Sequence, residues 1–150
     1  MLEITHISQT RKNFIDLIQS LSLEEINRIP NNFSNNIAWN FGHIVVTQQI
    51  LCYKLSGLEM YVSDEMIEKY KKGSRPNRDI SQEELDELIS ISDKNLELLE
   101  ADLEALKFIN YTEYATSYNV TLTSIRSAIK FNSVHEGLHY GYALALRKCL

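Results

Sequence analysis

Two of the chain's four histidines, His135 and His139, stand one helical turn apart in Ser133-Val134-His135-Glu136-Gly137-Leu138-His139-Tyr140-Gly141. Side chains at i and i+4 share a helix face, so both imidazoles can reach one ion. The stretch also spells H-E-x-x-H, the zinc-protease motif, whose glutamate acts as general base. Such proteases take their third ligand from downstream. The residues that follow, YGYALALRKCL, contain no His, Asp or Glu, so the expected site is not proteolytic. Carboxylate-bridged di-iron bundles use E-x-x-H on two helices plus one Glu from each of two others. Glu136-x-x-His139 and Glu3-x-x-His6 fit that spacing, but the segment from Asn36 to Gly57 contains no Asp or Glu. A mononuclear site is therefore expected.

That same carboxylate-free segment carries His43. Asn36, Asn40, His43 and Thr47 recur at four, three and four, a polar stripe on an otherwise apolar helix, and Asn132, His135, His139 and Tyr142 form a second. An unpaired buried polar group costs about 1–3 kcal/mol, so two facing polar stripes need partners. A hydrogen-bonded groove would supply them. So would a metal ion held by His135, His139 and a third imidazole from the facing helix, with its fourth position open. Asn40, Asn132 and Tyr142 are then candidates for orienting the imidazoles or facing a substrate. Glu136 lies about 100° around the helix from His135 and is not expected as a ligand. His6 falls outside the set.

The elements that must position these residues read as helices. The first long helix covers about Thr5 to Leu21, with Ile7, Phe14, Ile15, Leu17, Ile18 and Leu21 as its stripe. Ser22 and Glu25 make a capping-box pattern for a short helix before Pro30. The second long helix runs from Asn35 or Asn36 to Gly57, and a short one from Asp64 to Lys72 follows Ser63. The third opens at the capping box Ser81-Gln82-Glu83-Glu84, with Leu85, Leu88, Ile89, Leu96, Leu99, Leu103 and Leu106 as its apolar row. The fourth runs from Thr121 or Thr123 to the end, carrying Ile125, Ile129, Val134, Leu138, Leu144 and Leu146. The expectation is an all-α chain, one domain over 1–150, built as a four-helix bundle. The connection from about Leu58 to Ile80 is long enough to cross the bundle end to end.

Composition narrows the partners. The formal charge of −5 disfavours nucleic acid and anionic membranes. The basic stretch KYKKGSRPNR, Lys69 to Arg78, contains Gly73 and Pro76 and reads as a solvated loop. No segment approaches the roughly 18–20 apolar residues of a membrane span, and a soluble cytoplasmic protein is expected. Cys52 and Cys149 match no disulfide framework and are expected as reduced thiols.

Three pieces in order resemble the DinB-like family, whose superfamily includes YfiT-like metal-dependent hydrolases. They are Trp39-x-x-x-His43 with Gly42, the KGSRP element at Lys72 to Pro76 before a capped helix, and His135-Glu136-x-x-His139-x-Gly141. The resemblance implies a four-helix bundle with a crossover between helices two and three. It also implies a divalent metal, such as zinc, nickel or iron, on His43, His135 and His139. Many relatives continue the last motif as H-x-G-Q, whereas Tyr142 stands here. Some members look like transferases that activate a low-molecular-weight thiol at the metal. The resemblance thus implies a metal-dependent thiol transferase or hydrolase with a small-molecule substrate. The alternative is a metal-stabilised module that acts through homodimerisation or another interaction.

Overall fold

The computed structural model describes residues 2–150, with side chains from residue 3 onward. Most of its helices open at a residue that accepts the N–H groups a first turn leaves free. Ser22 and Ser81 form capping boxes with Glu25 and Glu84 and open α2 (Leu23–Asn27) and α5 (Gln82–Glu104). Asn36 accepts from the Trp39 N–H at the head of α3 (Ile37–Cys52). Ser63 caps α4 (Asp64–Tyr70), and Ser124 caps α6 (Ile125–Arg147). With α1 (Leu2–Gln19) these are the six α-helices among the described residues. The other regular elements among the described residues are a 3-10 turn at Lys54–Ser56 and a hairpin, β1 (Tyr114–Ala115) paired antiparallel with β2 (Thr121–Leu122).

α3 is apolar on nearly every side, which suits only a central position, and it packs along α6 and against α5. Asn40 meets His139 at one end of α3 while Cys52 meets Asn132 at the other, so α3 and α6 are antiparallel. Arg11 bonds Glu136 and Phe14 packs on Tyr140, so α1 runs parallel to α6. Tyr53, just past α3, bonds Asp102 near the end of α5, whereas Leu85 and Leu88 at its start join the core of the first part of α3. α3 and α5 therefore point the same way, and the connection through α4 returns the full length of the molecule.

Two apolar clusters fill the interior. One gathers Phe14, Ile18, Phe41, Ile44, Leu88 and Leu146, and the other Ile4, Ile7, Leu51, Leu99, Leu122 and Ile129. Along each of the four long helices a buried polar residue falls between them: Arg11 on α1, Gln48 on α3, Ser92 and Asn95 on α5, Asn132 and Glu136 on α6.

Three expectations are revised. α6 starts later than Thr121 or Thr123, because Ser124 supplies the cap and Thr121 and Leu122 pair into the hairpin. Val134 and Leu138 are not core residues but 44% and 52% exposed. α6 is turned to bury Asn132 and Glu136 instead, a turn made possible by Arg11 taking the Glu136 charge. Leu106 lies beyond the end of α5, in a left-handed conformation (φ 54) and exposed. Cys52 and Cys149 are free thiols, one buried and one exposed. No helix among the described residues is long and apolar enough to cross a membrane.

Candidate metal centre

His43 is placed by a close approach of two helices. A Cβ on Gly42 would overlap the Tyr70 ring, so the missing side chain lets the C-terminal end of α4 close down on α3. The Tyr70 carbonyl then accepts from His43 Nδ1 at 2.7 Å. Trp39, one turn back, stacks on the His43 ring at 4.7 Å and 11°, and its indole N–H donates to Ser74 Oγ at 3.1 Å. Ser74 in turn donates to the carbonyls of Lys69 and Lys71, tying the loop after α4 over the histidine. With Nδ1–H given to a carbonyl, Nε2 of His43 keeps its lone pair.

His139 is set by the same logic from another source. Its Nδ1 lies 2.8 Å from Asn40 Oδ1. Asn40 Nδ2 already donates to Asn35 Oδ1 and to the Asn36 carbonyl, which fixes the amide so that only its oxygen faces the imidazole. Nδ1 of His139 is therefore the donor and Nε2 the free lone pair. His135 has no such partner: its Nδ1 is buried without a hydrogen bond, and its ring packs beside Phe131 at 5.9 Å.

The three rings converge, with centroids 5.2, 4.6 and 4.5 Å apart, and one nitrogen from each lies within 4.8 Å of the others. Burial is the first cause that holds all three below the usual imidazole range. His135 is pushed down to about 3, helped by the charges His139 and His43 would carry, and His139 to about 4, helped by His43. His43 is lowered by burial and by Lys72, against the Tyr70 carbonyl. All three are neutral at pH 7, the form that ligates a metal. Three neutral imidazoles, two with outer nitrogens held by acceptors and one buried nitrogen without a partner, fit a divalent metal ion.

Of the residues singled out with the histidines, Asn40 joins the cluster. Asn132 lies in the polar layer, where its Nδ2 donates to the Ala128 carbonyl and approaches Cys52 Sγ at 3.5 Å. Tyr142 is 39% exposed and meets Phe33 edge-on at 5.8 Å. Glu136 points away from the cluster into a bidentate pair with Arg11, at 2.7 and 3.0 Å, while Arg11 also donates to the Ser92 carbonyl. Burial pushes the Glu136 carboxyl up against the opposing pull of Arg11. His6 is exposed on α1. In the basic loop, Lys69 and Arg78 both pair with Glu84, and Lys71 pairs with Glu68. A surface cavity of about 430 Å³ between α1 and α5 is lined by Ser8, Lys12, Asp93 and Glu97 and includes none of the three histidines.

Sequence reasoning passed over Arg11, Tyr70 and the hairpin. Arg11 did carry a signal, since it stands in the apolar row Ile7, Phe14, Ile18 at helical spacing and so had to be buried with a partner. Tyr70 acts through its backbone carbonyl, which no side-chain pattern marks.

A mostly helical chain in which neighbouring antiparallel helices converge three neutral histidines defines a class of candidate metal-binding proteins. The chain belongs to the DinB superfamily, whose model matches residues 6–143. A solved structure of a conserved protein from Enterococcus faecalis shares the fold, with a TM-score of 0.67 at 13% identity over 99% of this chain and 94% of that one. No curated protein matches the chain.

Proposed function

We propose that His43, His135 and His139 hold one divalent metal ion within a single-domain four-helix bundle, and that the loaded protein is a metal-dependent thiol transferase or hydrolase. The observation that carries this reading is the division of labour on His43 and His139. Each gives its outer nitrogen to a fixed acceptor and keeps a lone pair on the other, which in His43 meets only the Thr47 hydroxyl at 3.4 Å, within a cluster whose ligand atoms lie within 4.8 Å of one another. Outer acceptors of this kind set the tautomer and raise ligand basicity. The cluster contributes three donors among the described residues, the number found in sites with an open position.

A divalent ion bound there would supply Lewis acidity, holding a low-molecular-weight thiol as its thiolate at neutral pH. The chain's own residues orient the imidazoles through Asn40 and Tyr70, and their burial keeps protons from competing for the lone pairs. Neither cysteine is required. Burial lifts the Cys52 thiol to about 12, where it is inert at pH 7, and Cys149 is exposed beyond the end of α6. In transfer, a sulfur–carbon bond forms to an electrophile, and the leaving group departs with the thiol's proton going to solvent.

The test is conjugation of a chromogenic electrophile with several bacterial thiols, comparing metal-loaded protein, chelated protein and His139→Ala. The proposal expects a rate that needs both metal and His139. Equal rates in the three samples would favour the second reading, a non-catalytic clamp, which draws on the fact that the histidines come from two helices.

A further inference from the structure

Between Lys130 and Arg147, α6 carries a single charged side chain, Glu136, and that one is fully buried against Arg11. The exposed positions over this stretch are Val134, Gly137, Leu138, Gly141, Tyr142 and Ala145. An exposed helix face ordinarily carries charged and polar residues. This one is uncharged in a chain of which 23% is charged, and Val134 and Leu138 each immediately precede a site histidine.

Aromatic pairs flank both ends of this face, each made of one ring from α6 and one from outside it. At one end the Phe131 ring lies 5.9 Å from that of His135, and Tyr118 lies 6.2 Å from Phe131. Tyr118 sits at the tip of the β1–β2 hairpin, where Thr116 bonds Val120 through both its hydroxyl and its backbone and Asn119 adopts φ 59. The tip is thus well bonded, yet Tyr118 keeps 54% of its surface in solvent, so the hairpin presents the ring instead of burying it. At the other end Tyr142 meets Phe33.

We infer that this apolar collar seats the body of a small-molecule ligand whose donor head sits at the three histidines, and that the ligand class is one with an aromatic group beside that head. The inference rests on the metal reading above. Two observations select this occupant. The ring contacts run without a break from His135 through Phe131 to Tyr118, so apolar surface begins at the ligating imidazole itself. The exposed positions of α6 over this stretch include no charged side chain, so a ligand body lying along them meets an uncharged surface.

The experiment titrates cobalt(II)-loaded protein with benzohydroxamate and with acetohydroxamate, which share a chelating head and differ in the attached group. Benzohydroxamate binds at least about tenfold tighter, the scale of one or two ring contacts. The preference falls severalfold in Tyr118→Ser and in Leu138→Ser, both exposed positions, while cobalt uptake stays unchanged. Phe131→Leu, which keeps the packing volume but loses the ring, reduces it as well. Equal affinities for the two hydroxamates in the loaded wild type would overturn the collar and leave the metal reading standing. Failure to take up cobalt would overturn both. Self-association of the loaded protein that weakens benzohydroxamate binding as protein concentration rises would make this face an interface between copies and overturn the inference.

Discussion

Asn40 controls His139 because its own amide has no freedom left: both donors are taken by Asn35 and Asn36, and only the oxygen remains. Asn40→Ala is therefore expected to weaken metal binding about 10–100-fold, read by competition with a chelator, while His6→Ala leaves it unchanged. Glu136 demands a different assay. Because it is locked to Arg11 in the interior, Glu136→Gln is expected to cost about 3–5 kcal/mol in urea unfolding, yet metal per folded chain should hold. Loss of metal from the folded fraction would return Glu136 to the site. The depressed histidines also make the metal-free protein sensitive to acid. As pH falls below about 6.5 the unfolded chain takes up protons that the folded one refuses, so stability is present above that pH and drains away towards pH 4. The decline between pH 6.5 and 4.5 should be shallower in His135→Gln. At this scale the sequence reads well where spacing acts, as with His135 and His139 at i and i+4. It reads poorly where a residue's role depends on what faces it, as with Asn132, whose Nδ2 bonds the Ala128 carbonyl and approaches Cys52 Sγ.

The elements were legible mainly through their ends. Ser81 with Glu84, Ser22 with Glu25, Asn36 and Ser63 all cap as their types suggest, because a helix start has a local chemical requirement. The hairpin was not legible, since two-residue strands have no periodicity and are set by the Thr116 to Val120 bonds and by burial of Leu122. The rotation of α6 was equally hidden: Val134 and Leu138 look like core until Arg11 is seen to admit Glu136 instead. Gly42 is where element packing and site meet. A methyl there must displace Tyr70, and with it the acceptor of His43 Nδ1. Gly42→Ala is expected to cost about 1–3 kcal/mol of stability and to lower metal affinity as well. Calorimetry and chelator competition on the same preparation check this, and a stability loss with unchanged metal affinity would uncouple α4 from the site.

Over the whole molecule, the length of the connection between the second and third long helices permitted the return path that the parallel course of α3 and α5 requires, and the family resemblance implied it. The polar layer dividing the two apolar clusters was not foretold, because its members lie far apart in sequence and are recognisable only when assembled. An ion on His43 from α3 and on His135 and His139 from α6 would fasten the two central helices together. Metal at about 100 times its dissociation constant would stabilise the fold by about 2.7 kcal/mol. Everything proposed for chemistry depends on that ion. The most direct measurement is elemental analysis of protein purified without a metal-binding tag, run beside the His43→Ala, His135→Ala double variant. One divalent ion per wild-type chain, with little in the variant, is the predicted result. Near-full occupancy in the double variant, or two metals per chain, would contradict it.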